Sequence, residues 1–179
     1  MKFGKPTYID KTFAPDLNTA KKIFDMAKRY STPFFSTSAL RYADELDALC
    51  DYDSFIITGG GSSFDEYSVH TIEMAVKLMG SPIESASSKS LGNQRVCFLD
   101  AENGKKASII YSPKLSFSVT AEKGCTSVYA KITSDFFKNL MKDILRFFNE
   151  GTVSFAPEET LEVMKAREAL IALHGKNIE

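Results

Sequence analysis

"TYIDKTFAPDLNTAKKIFDMAKRYSTPFF", Thr7 to Phe35, decides how the rest of this chain is read. Thr7 to Ile9 form a short extended run. Pro15 and Asp16 then open a helical pattern in which Leu17, Ala20, Ile23, Phe24 and Ala27 recur at helix spacing and which ends near Tyr30. Thr32 to Phe35 read as a second strand, so the first 36 residues have the length and order of a parallel strand–helix–strand crossover. Two strands alone leave open edges and faces, so this unit requires a larger sheet, in this chain or in another.

From Ser38 onward the pattern changes. "SALRYADELDALC" predicts a short helix, "SFIIT" a strand, and Phe64 to Met79 a helix, followed by a Ser-rich extended passage from Pro82 to Ser90. Four strands without helices come next: "RVCFLD", "KKASIIYS", "LSFSVTA" and "TSVYAKI". Asn103-Gly104 joins the first two as a hairpin, because both residues tolerate positive φ, and the run as a whole predicts an antiparallel meander. Two helices close the chain, one from about Ser134 to Asn149 with Gly151 as its stop and one opening at Pro157. The fold class is α+β: a parallel strand–helix–strand, then a mainly antiparallel open sheet covered by helices on one face. The uncovered face, with Phe98, Ile110, Phe117, Val119 and Tyr129 among its strands, either meets solvent or buries itself against another subunit.

Composition narrows the function classes. At 179 residues, with 44% hydrophobic and 12% aromatic side chains, the chain can bury a core of its own. Twenty-two Lys and Arg against 23 Asp and Glu leave a net charge of -1, with no basic block for a nucleic acid or an anionic membrane surface. Cys50, Cys97 and Cys125 are widely spaced and odd in number, which fits a reducing compartment better than a disulfide framework or a zinc site. No apolar stretch approaches the roughly 20 residues of a membrane span, and a cytoplasmic location is expected.

The residues that promise chemistry lie in "ITGGGSSFDEYSVHTIEMAVKLMG", Ile57 to Gly80. A dinucleotide fingerprint needs Gly-x-Gly-x-x-Gly, but here Gly59-Gly60-Gly61-Ser62-Ser63 is followed by Phe64 where the third glycine would allow close packing. No Gly-Lys-Ser/Thr follows either, so the run is no P-loop, and tight backbone turning or close approach is the favoured reading of the three glycines. On the helix beyond them, Glu66, His70, Glu73 and Lys77 are spaced four, three and four apart and form one polar stripe opposite Ile72, Val76, Leu78 and Met79. Such a stripe serves as a solvated face or as an acid–base cluster. Metal ligation by Glu66, His70 and Glu73 is disfavoured, since His70 and His174 are the only histidines.

Three stretches taken together, "GKPTYIDKTFAPDLNTAKKIFDMAKRYSTPFFSTSALRYADEL", "EYSVHTIEM" after the glycines, and "FFKNLMKDILRFFNEGTVSFAPEETLEVMKAREAL", resemble the second half of the glucose-fructose oxidoreductase, inositol dehydrogenase and MocA (Gfo/Idh/MocA) family of NAD(P)-dependent sugar and polyol oxidoreductases. The resemblance implies that residues 1–37 are the last strand–helix–strand of a nucleotide-binding domain and that residues 38–179 are a substrate-binding and oligomerisation domain. Lys11 matches the lysine of the family's Glu-Lys-Pro motif, beside nicotinamide and substrate, although here the motif reads Asp10-Lys11-Thr12. Arg41 matches an arginine that begins the second domain near the substrate, and Tyr67 and Glu73 are implied to face the substrate as well. His70 matches the histidine of an Asp-x-Gly-x-His motif. Its acid falls on Glu66, preferred to Asp65 because it lies one helical turn from His70, and Ser68 stands in place of the motif's glycine.

The implied chemistry suits these residue types. A histidine, with an ordinary pKa of about 6.5, can take the hydroxyl proton of a carbinol, a carboxylate can orient the ring, and an ammonium at Lys11 can stabilise the developing alkoxide. The family's dinucleotide fingerprint would precede residue 1, so NAD or NADP is expected as the cofactor without binding this chain alone. The expected partners are a small sugar or polyol, a second copy of the chain in a homodimer or higher oligomer, and a nucleotide-binding half on a separate polypeptide. The alternatives are a non-catalytic sugar-binding or oligomerisation module and a cofactor-independent isomerase or lyase using His70 and Glu66.

Overall fold

The structure, a computed structural model, describes residues 1–173, so His174 lies outside the described residues. Strand β1 (Thr7–Asp10) pairs in parallel with β2 (Phe34–Thr37), with Tyr8 opposite Phe35, and α1 (Leu17–Arg29) makes the crossover. Asp16 caps α1 by accepting from Thr19 N at 2.7 Å. Both faces of this small sheet are covered. Phe34 meets Phe24 of α1 with ring centroids 5.0 Å apart, while Phe35 meets Phe147 of a later helix at 4.8 Å. Alternation along β2 thus sends neighbouring phenylalanines into two different aromatic clusters.

A 3-10 turn (Ala39–Tyr42) and a short helix, α2 (Asp44–Asp47), lead into the main sheet. Its strands are β3 (Ser54–Gly59), β4 (Ile83–Leu91), β5 (Gln94–Ala101), β6 (Lys106–Tyr111), β7 (Ser118–Lys123) and β8 (Thr126–Lys131). Their spatial order is β4-β5-β6-β3-β7-β8; β3 runs parallel to β6, and every other neighbouring pair is antiparallel. Two corrections to the sequence reading follow. The Ser-rich passage is a full edge strand, β4. The later strands are not an unbroken meander, because β3 is inserted between β6 and β7.

The glycine run explains how that insertion is built. To pass from β6 to β7, the chain at Ser112–Phe117 must cross the end of β3, and Ser112 N donates to Gly59 O at 3.2 Å. A Cβ on Gly60 would stand 2.2 Å from Ser112 O, and one on Gly59 would stand 2.6 Å from the Phe117 ring. The glycines allow the close crossing of two backbone segments, as the sequence suggested.

Helix α3 (Phe64–Met79) is capped by Ser63, which accepts from Glu66 N, and stopped by Gly80 in a left-handed conformation. It lies on one face of the large sheet beside α5 (Pro157–Ala172), and the main core, including Ile57, Ile72, Leu78, Leu99, Ile109 and Leu170, fills the space between. Helix α4 (Phe136–Glu150) packs instead on the 3-10 turn and on Phe35. On the open face of the large sheet a row runs Phe98, Ser108, Ile56, Thr120, Tyr129 across five strands. Phe98, Ile56 and Tyr129 in this row are exposed. Val119, expected on that face, points instead into the core, and Ile110 and Phe117 are half-buried. No helix of the described residues is long and apolar enough to cross a membrane.

Candidate functional site

The polar stripe of α3 proves to be two environments. In its C-terminal half Glu73 is buried and Lys77 half-buried. Glu73, 2% exposed, accepts from Arg41 Nε at 2.6 Å, from Thr37 Oγ1 at 3.0 Å and from Ser38 N at 3.3 Å. Arg41 also donates from Nη1 to Glu159 of α5 at 2.8 Å, and its guanidinium lies 4.1 Å from the centre of the Phe155 ring. Burial works against the Arg41 charge, but Glu73 and Glu159 outweigh it and hold its pKa above the ordinary value. Lys77 ends the stripe by donating to Arg41 O at 2.7 Å and to Asp47 at 2.6 Å. These contacts join α3, the 3-10 turn, α2 and α5 through charge.

The N-terminal half faces a different neighbourhood. The His70 ring is half-buried, 5.6 Å from the Tyr67 ring and 5.9 Å from the Phe117 ring between centroids. Lys11 Nζ lies 5.9 Å from the centre of the same Tyr67 ring. Lys11 follows the end of β1, and the Lys11–Thr12 peptide is cis. Burial and the Lys11 charge together push the His70 pKa down to about 4, opposed in part by Asp10. The imidazole is therefore neutral at physiological pH.

His70 Nδ1 is 2.7 Å from Ser38 Oγ, at the turn that follows β2. Glu66, expected to orient the ring, is exposed and accepts from Ser62 Oγ at 3.0 Å. Four-residue spacing put the two side chains on one side of the helix, but Ser38 reaches the ring nitrogen from the neighbouring 3-10 turn. Tyr67 stands over the glycine run: a Cβ on Gly61 would meet its Cγ at 2.0 Å.

Two clefts flank this region. One, about 330 Å³, is lined by Lys11, Thr12, Ser63, Asp65, Glu66 and Arg167. The other, about 480 Å³, has Arg41, Tyr42, Lys77 and Asp143 among its walls. Lys11 and Glu66 therefore share a cleft, His70 adjoins Lys11 across Tyr67, and Arg41 and Glu73 belong to the ion cluster. Sequence reasoning missed Ser38 and Glu159. Their only signals were helix-start signatures, a serine before "ALRY" and a glutamate just after Pro157.

The glycine loop is no dinucleotide cradle. The space above the glycine run is filled by Tyr67, by the Phe117 ring and by the backbone of Ser112–Leu115, and no residue from 59 to 61 has positive φ. That loop does not fit a pyrophosphate.

No protein-family model matches the chain, and no curated protein does. Solved structures do. The chain is similar to GenD2 from gentamicin A biosynthesis, solved with NAD, at TM-score 0.77 and 12% identity over 95% of this chain and 69% of that one. A myo-inositol dehydrogenase from Corynebacterium glutamicum gives TM-score 0.74 and 11% identity over 94% and 70% of the two chains. The UDP-N-acetylglucosamine 3-dehydrogenase GnnA from Acidithiobacillus ferrooxidans gives 0.73 and 11% over 94% and 71%. The order of the parallel unit, the mixed sheet and its covering helices is thus a fold this chain shares with these solved structures.

Proposed function

We propose that this chain is the substrate-binding part of an NAD(P)-dependent oxidoreductase acting on a sugar or polyol. The observation that carries this reading is the meeting of Lys11 and His70 on one aromatic ring, Tyr67, although they come from different structural units. On this reading residues 1–37 complete a nucleotide-binding domain, and the unpaired edge of β1 receives its next strand. Residues 38–179 supply the substrate pocket and, through the open face around Phe98, Ile56 and Tyr129, a contact with a second copy.

Within the pocket, the Lys11 ammonium stabilises negative charge on the reacting oxygen and His70 handles its proton. Tyr67 walls the pocket between them. Arg41 and Glu73 act from behind by fixing the 3-10 turn against α3. NAD or NADP is the redox partner when a nucleotide-binding part is present, and the glycine loop does not take over its phosphate cradle.

A binding module without turnover is a second reading, favoured by one observation: Glu66 is bonded to Ser62 rather than to the His70 ring. Calorimetry separates the cases. We expect sugars or polyols to bind the wild type and to lose affinity in Lys11→Ala and His70→Gln, with neither NAD nor NADP binding the chain alone. Sugar binding unaffected by both substitutions removes the pocket from this site. Turnover regained on adding a nucleotide-binding half excludes the binding-only reading.

A further inference from the structure

We infer that Ser38 is a positioning residue that locks neutral His70 in the tautomer carrying its proton on Nε2, so that His70 meets a ligand as a hydrogen-bond donor. Ser38 Oγ accepts from Leu40 N at 3.2 Å, as the cap of the 3-10 turn, and Ser38 is fully buried. Its hydroxyl has one hydrogen to give. Among the described residues the only other polar partner of Oγ is His70 Nδ1, at 2.7 Å. If Nδ1 carried the ring proton, it would donate to Oγ and the hydroxyl hydrogen would point at no acceptor in a buried site, a costly arrangement. If the hydroxyl donates to an unprotonated Nδ1, every group is satisfied, and the ring proton must then sit on Nε2.

The serine is itself held. Its backbone N–H donates to Glu73 at 3.3 Å, and Glu73 is pinned by Arg41 at 2.6 Å and by Thr37 at 3.0 Å. The ion cluster behind the site therefore sets the position of the hydroxyl that sets the tautomer. Lys11 reinforces the neutral ring by disfavouring a second proton.

The consequence for ligand class rests on the oxidoreductase reading. Nε2 lies on the side of the imidazole away from Ser38. Presenting an N–H there, on a ring that feels the Lys11 charge, suits an acceptor oxygen such as the carbonyl of a keto-sugar. For Nε2 to take a proton from a carbinol, the ring must first exchange tautomers and the Ser38 hydroxyl must rotate. The resting site is thus matched to the oxidised, carbonyl form of the ligand.

The test is nuclear magnetic resonance of the isotope-labelled full chain at neutral pH, with His70→Gln used to identify the His70 signals. We expect a pyridine-type nitrogen at Nδ1 and a protonated, pyrrole-type nitrogen at Nε2. Ser38→Ala should turn this single form into a mixture of the two neutral tautomers. Ser38→Thr, which keeps the hydroxyl, should restore the single form. A protonated Nδ1 in the neutral wild type overturns the inference, as does a Ser38→Ala spectrum equal to the wild type's. The readout needs no substrate. Failure to bind sugars with the expected spectrum defeats the oxidoreductase reading and leaves the tautomer standing.

Discussion

Glu66 and Glu73 sit on the same stripe of the same helix, seven residues apart, and they have opposite fates. Glu73 is buried against Arg41, Thr37 and the backbone of Ser38, whereas Glu66 stands in solvent and accepts from its near neighbour Ser62. Helix periodicity assigns both to one side. What separates them is the 3-10 turn, which covers the second half of the stripe and stops short of the first. A carboxylate's role here depends on what another part of the chain lays over it.

This contrast can be broken most decisively at Glu73. Replacing it with Ala strands the buried Arg41 guanidinium beside the more exposed Glu159, and removing one partner of such a pair typically costs about 3–5 kcal/mol. Urea unfolding of Glu73→Ala should show a loss of that order. A loss under about 1 kcal/mol means the cluster is not holding α3 to the turn.

The middle of the stripe gives the next effect. His70 has a folded pKa of about 4 against an ordinary 6.5, so between those values the unfolded chain binds more protons than the folded one. Stability contributed by the neutral ring is therefore full above the ordinary value and falls as pH drops through this window. Each unit of separation is worth ~1.4 kcal/mol, and for a half-buried ring we expect on the order of 2 kcal/mol in total. Stability measured against pH should lose that component in His70→Gln, and identical slopes for both proteins would contradict the burial of the ring.

Glu66 should matter least. Glu66→Gln exchanges an exposed carboxylate bonded to a serine, and surface substitutions of this kind stay within about 0.5 kcal/mol. The His70 titration should be unchanged, because Ser38 rather than Glu66 holds the ring. A displaced titration in Glu66→Gln would restore the acid–histidine pair that the spacing suggested.

Much of the fold was legible because its signals are local. Asp16 before α1, Gly80 after α3, Asn103-Gly104 in the hairpin and the apolar spacing of α4 each act within a few residues. The place of β3 between β6 and β7 was not legible, since pairing between segments about fifty to seventy residues apart leaves no periodic trace in either. β4 was read only as an extended passage because an edge strand of serines, with most of its side chains outside the core, lacks the alternation that marks a half-buried strand. At the candidate site, Lys11 and His70 were found through motif resemblance. Ser38 carries no motif, and its reach to the ring is set by the turn after β2.

The central place of β3 also bears on how the molecule folds. β4, β5 and β6 can zip up as consecutive hairpins, and β7 with β8 as another, but among the described strands nothing pairs the two groups except β3. The sheet is completed only when an early strand is captured between two later hairpin groups, a non-local step that slows folding relative to hairpin formation. The β3 amides should accordingly be among the last to gain protection from hydrogen exchange during refolding, after the hairpin turns at Gly92, Gly104 and Gly124 have closed.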